Sequence, residues 1–144
     1  MNTMNEYVKD KAMFGSLHDG RFQCIRMENA RETNHLEVQC IDAAAASVTI
    51  ECVEVVAFKL RTNFFWDLSI MAATVYTGPI ESILADPGTA SRVHGCTEAI
   101  LPDWLAQNPH VSILYVEAFG SDLVVVSSLA DKKAAFRLVE KGKT

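Results

Sequence analysis

The sequence predicts an α+β protein that is mostly β, and three observations carry that prediction. Between residues 21 and 60, four successive runs alternate apolar and polar side chains with a period of two. That pattern marks strands with one face packed on a core and the other in water. Two further β-rich runs, 111–118 and 122–128, flank Phe119-Gly120-Ser121 as the arms of a hairpin flank a tight turn. Finally, a chain of 144 residues fits a single domain over 1–144, large enough to bury roughly two-thirds of its unfolded surface. The expected arrangement is an antiparallel meander sheet, with a strongly bent sheet or a partly open barrel as its variants.

The elements follow in order. Thr3-Met4-Asn5-Glu6 has capping-box spacing, which predicts a short N-terminal helix over 4–12. In Leu17-His18-Asp19-Gly20 the aspartate supplies a side-chain acceptor and the glycine tolerates positive φ, so a turn is expected. The apolar positions of the four alternating runs are Phe22 and Cys24; Leu36, Val38 and Cys40; Val48, Ile50 and Cys52; Val56, Phe58 and Leu60. The alanine tract 43–46 reads as a loop between two of them. The phase slips between Cys52 and Val56, where Glu54 would fall on the inward side. A bulge or sharp bend there restores the register. Residues 67–76 read as another strand built on Leu68, Ile70 and Val75.

Residues 78–109 differ in character. They hold all 4 prolines and read as an irregular Pro/Gly-containing segment, with one short helix opening at Pro102. Long irregular connections inside a domain are commonly either functional or poorly ordered, and a binding surface is sought there first. Residues 132–140 fit a final strand and a short helix equally well.

Composition excludes several classes. No run approaches the ~18 apolar residues of a membrane span, and Glu6, Lys9, Asp10 and Lys11 interrupt any signal-peptide core. The expectation is a cytoplasmic protein with no membrane partner. The net charge is −5, and over 63–110 Arg92 alone opposes Asp67, Glu81, Asp86, Glu98 and Asp103. Basic residues gather only in the tail from Lys132 to Lys143, so a nucleic-acid partner is not expected. The 4 cysteines lack a C-x-x-C pair and so lack zinc-ribbon spacing. Cys24, Cys40 and Cys52 are expected to be reduced and buried, behaving as small hydrophobes.

Motifs that carry chemistry are missing: the chain has no phosphate-binding glycine loop, no H-E-x-x-H and no G-x-S-x-G. No catalytic residue, metal or cofactor is expected. His18-Asp19 is the sharpest local pair; it fits a backbone-fixing turn, a partner contact, or a base held in one tautomer. His94, Cys96 and His110 offer a nucleophile or a metal set with nothing to orient it. Trp104, within the acidic segment, is the better exposed aromatic candidate, while Phe64 and Trp66 alternate into the core.

The order L-H-D-G-R-F, then V-T-I-E-C-V-E-V, then N-F-F-W-D-L-S-I resembles a group of small bacterial β-rich proteins. Their function is uncharacterised, and some are assigned as immunity proteins of polymorphic toxin systems. The resemblance spans 14–75 and the closing hairpin, and places the group's His-Asp and Asn at His18, Asp19 and Asn63. It implies a non-enzymatic protein-binding domain that neutralises a toxin by covering it. The acidic bias then suggests a basic protein partner, met by Trp104, Glu81, Asp86, Glu98 and Asp103 with His18 and Asp19. The alternative is a small-ligand binder or enzyme with a pocket between the sheet and 78–109, lined by Trp104, His94 and Cys96.

Overall fold

The alternating runs fold into two antiparallel sheets where their common period suggested one. The computed structural model describes residues 7–29, 34–62, 69–97, 100 and 102–140, with the backbone alone at 94, 95, 97 and 140. In chain order the first strands are β1 (Val8–Asp10), β2 (Arg21–Asn29), β3 (Asn34–Ile41), β4 (Ser47–Cys52), β5 (Val55–Thr62) and β6 (Ile70–Pro79). Three helices follow, α1 (Ile80–Ala85), α2 (Pro87–Thr97) and α3 (Pro102–Gln107). The chain then forms β7 (His110–Ala118), β8 (Ser121–Ser127), α4 (Lys132–Ala135) and β9 (Phe136–Glu140). One sheet has the order β1-β6-β7-β8-β5 and the other β2-β3-β4-β9. Both remain open, so the fold is mostly β with short helices.

Period-two patterning sets which faces meet. On β3, Leu36, Val38 and Cys40 are buried and lie directly across from Cys52, Ile50 and Val48 of β4. This face packs on Leu114, Val116, Leu123 and Val125 of the five-stranded sheet, forming the core between the sheets. The central strands β7 and β8 are covered twice. Their other face, with Ile113, Tyr115, Val124 and Val126, packs under Ile80, Ile83, Val93 and Cys96 from the helices. A strand buried on both faces carries a continuous apolar run in place of alternation, as Leu123 to Val126 does.

Several expectations are corrected. The N-terminal helix is absent from its described part, where Val8, Lys9 and Asp10 pair with Thr77, Tyr76 and Val75. Sheet pairing outweighs the local capping pattern here; residues 1–6 of that expectation lie outside the described residues. Asp10 accepts hydrogen bonds from Lys132 Nζ (2.7 Å) and from the amides of Ala12 (2.8 Å) and Met13 (3.0 Å). The Lys132 ammonium above all holds its carboxyl down to about 2, and the pair ties β1 to α4.

The segment 78–109 is largely helical. Three of its four prolines stand at helix boundaries: Pro79 is the N-cap of α1, Pro87 opens α2 and Pro102 opens α3, the helix start expected from sequence. Ile80, Ile83, Val93 and Cys96 give the segment an apolar side, and the outer face of the sheet gives that side a place to pack. Residues 132–140 turn out to be both helix and strand, with the change at Phe136. The slip before Val56 is a corner between the sheets: Glu54 adopts φ 52°, and the chain leaves β4 in one sheet for β5 in the other. The expected strand over 67–76 is β6, described from Ile70.

Cys24 is exposed, contrary to the expected burial. A register shift between Phe22 and Cys24 places it opposite Gln39, on the outer face of the sheet. The other three thiols are buried; burial pushes Cys40 up to about 12 and Cys96 up to about 11, and raises Cys52 as well. One thiol in four should therefore react with a disulfide reagent in the native protein, and all four in denaturant. More than one equivalent at the native rate would contradict this packing.

Candidate binding seam between two sheet edges

The residues singled out from sequence do not converge on one site. His18 Nδ1 lies 3.2 Å from Asp19 Oδ2, and both side chains are exposed. Asp19 has φ 68°, and its amide donates to the Ile70 carbonyl at 2.9 Å. Glu81 and Asp103 are exposed on α1 and α3. Asp86 is engaged: it accepts from Tyr7 Oη at 2.7 Å and from the Gly88 amide at 3.1 Å. The Tyr7 hydroxyl is the main cause that lowers its carboxyl. Trp104 is half-buried against the core beneath the helices, so packing uses part of its ring. Glu98, Asn63, Phe64 and Trp66 lie outside the described residues.

The alternative pocket beneath 78–109 meets a filled layer. Cys96 Sγ contacts the Val124 carbonyl at 3.9 Å, and a cavity of about 70 Å³ borders it. His110 is exposed at the start of β7. Among the described residues no three His, Cys, Asp or Glu side chains gather to hold a metal. No helix is long and apolar enough to cross a membrane among those residues. His18 instead borders a cleft of about 370 Å³ on the outer face of the sheet, beside Lys11, Arg92, Tyr115 and Glu117.

A further group of exposed apolar side chains, Met27, Val56, Phe58 and Leu60, lies on the two strands that end the sheets. Strand β2 ends one sheet and β5 ends the other. The beginning of β5 shares a cleft of about 320 Å³ with the end of β2, around Met27, Val56 and Phe58. Its other end shares one of about 250 Å³ with the beginning of β2, around Phe22, Ile25 and Leu60. The two edge strands therefore border the same two clefts in opposite order, and this shared border forms a seam. Among the described residues β2 pairs with β3 and β5 with β8, and no ladder joins β2 to β5.

Register identifies the side chains that face into the seam. Phe58 and Leu60 lie across from Val125 and Leu123, and Ile25 and Met27 across from Val38 and Leu36. Those four partners are core residues, and residues directly opposite in a ladder share a face. Met27, Phe58 and Leu60 thus belong to the inner faces of the sheets, yet they are 65%, 37% and 40% exposed. The expected inward orientation of Phe58 and Leu60 is right, but their expected burial is not. The facing sheet ends before it covers them. At one end of the seam Ser121, itself buried, holds a hydroxyl without a hydrogen-bond partner among the described residues.

Charges occupy the other face of the same strands. Lys59 and Arg61 alternate with Phe58 and Leu60 on β5. Arg61, largely exposed, reaches the mostly covered Asp122 at 2.8 Å, a surface pair that contributes modestly to stability. On β2, Arg26 stands across from Glu37. Charged side chains on a free edge hinder uncontrolled strand pairing. Alternating Lys and Arg on β5 was therefore the available sequence signal that this run ends a sheet.

In comparisons with protein families, curated proteins and solved structures, the chain matches none.

Proposed function

We propose that the protein is a non-enzymatic protein-binding domain, of the immunity type that its sequence resemblance implies, and that it holds its partner at the seam between β2 and β5. One observation carries the reading: Met27, Phe58 and Leu60 lie on inner sheet faces and are exposed between two strands without a common ladder. An extended segment entering there gains backbone partners on a free edge and covers apolar side chains. Each side chain so covered contributes on the order of 1 kcal/mol.

The test compares three tagged proteins as baits in lysate of the native host: the wild type, the double variant Met27→Ser/Phe58→Ser, and Glu81→Lys/Asp103→Lys. Glu81, Asp103 and Met27 are exposed, while Phe58 is 37% exposed and loss of its ring costs some packing. Each bait is therefore first shown by thermal melting to be folded at the assay temperature. The expected result is one stoichiometric partner, kept by the helix-face variant and lost by the seam variant. Retention by the seam variant together with loss by the helix-face variant would move the interface to α1 and α3.

A further inference from the structure

We infer that the segment taken up by the seam is a β-strand whose side chains alternate apolar and acidic, added to the free edge of β5. The inference rests on the seam reading above and names its partner by chemistry.

A strand laid against β5 must match its pleat, because successive side chains point to opposite faces. Side chains on one face of the incoming strand lie beside Phe58 and Leu60, over the partly uncovered core. These positions call for Val, Leu, Ile or Phe. Side chains on the other face lie beside Lys59 and Arg61. Among the described residues Lys59 is in no ion pair, and Arg61 meets the single carboxylate Asp122. On β2 the same side carries Arg26, directly across from Glu37, and Glu28, which lines the first cleft, so the charge selection rests on Lys59 and Arg61 of β5. Opposite charges directly across a ladder favour pairing, and like charges oppose it. The outward positions therefore select Asp or Glu.

The same charges argue against a second copy of this chain as the occupant. Pairing β5 with β5 of another molecule would set Lys59 and Arg61 against their own counterparts. The register shift between Val55 and Ala57 further disturbs such a ladder. The incoming strand is thus supplied by a different protein. That acidic strand would serve a toxin whose neutralised element is an edge of its own sheet.

The experiment uses the whole protein and three soluble eight-residue peptides in which Val and Leu alternate with Glu, Lys or Ser. Binding is followed by amide chemical shifts at several salt concentrations. The expected result is binding of the Glu peptide at least tenfold tighter than the Lys peptide, with shifts confined to β2, β5 and β8. Raising the salt should narrow the gap, and Lys59→Glu should invert the order. Equal affinities for all three peptides would overturn the charge rule and leave the seam reading standing. A Lys peptide that binds more tightly, with shifts around Glu81 and Asp103, would overturn the inference in favour of a basic partner on the helices. Absence of binding by every peptide would overturn the inference and the seam reading together.

Discussion

Replacing Gly20 by alanine is expected to destabilise the protein by about 3 kcal/mol, the upper part of the range for forcing atoms into a packed site. A Cβ at this position would overlap the Ile41 carbonyl oxygen and lie 3.0 Å from the Leu17 carbonyl and 3.1 Å from the Asp42 Cα. All three neighbours are backbone, so no side-chain rotation relieves the clash. The site also joins the sheets: the Ile70 amide donates to the Gly20 carbonyl at 2.7 Å, and the Gly20 amide donates to Leu17 at 2.8 Å. Urea unfolding should show a lower midpoint with an unchanged slope. Asp19→Asn is the control, since asparagine tolerates the left-handed conformation that Asp19 adopts at φ 68°. A loss below 1 kcal/mol for Gly20→Ala would mean that the strand ends part without resistance.

Truncating Phe136 to alanine should remove about 3–5 kcal/mol, as for other buried phenylalanines. Its side chain is fully buried in the core between the sheets, at the residue where α4 becomes β9. It lies across from Cys52, itself buried beside the corner at Glu54. Backbone bonds hold the neighbourhood in place: the Val53 amide donates to Ala135 at 2.9 Å, and Ser128 donates to Glu54 at 3.0 Å. A cavity left there cannot close by moving one loop, because both sheets border it. Phe136→Leu should lose distinctly less, and similar losses for the two variants would show that the ring fills no defined space. Since domains of this size are stable by about 5–15 kcal/mol, the alanine variant would lose a large part of its stability.

The candidate site was only half legible in the sequence. Alternation told that Phe58 and Leu60 share a face and that Lys59 and Arg61 share the other. It could not tell that the sheet above stops short of Phe58, because burial depends on what lies opposite. Trp104 shows the converse. In an acidic, proline-containing stretch it read as a surface anchor, and the helices turned it partly into the core. Asp86 read as free surface charge, and a tyrosine 79 residues away engages it.

By itself the sequence determined the local periods, and from them the strands, the closing hairpin with Gly120 at φ 73°, the bend at Glu54 and the helix that opens at Pro102. These depend on near neighbours: a side chain's face, a residue's permitted φ, a proline's missing donor. Only the tertiary structure decided that β5 joins β8 and leaves its companions, that residues 8–10 form a strand, and that 78–109 coils into helices over a second apolar face. Each of these is a choice of partner across many residues. Ladders and core contacts between distant segments make that choice, and their free energy exceeds the few tenths of a kcal/mol per residue carried by local propensity.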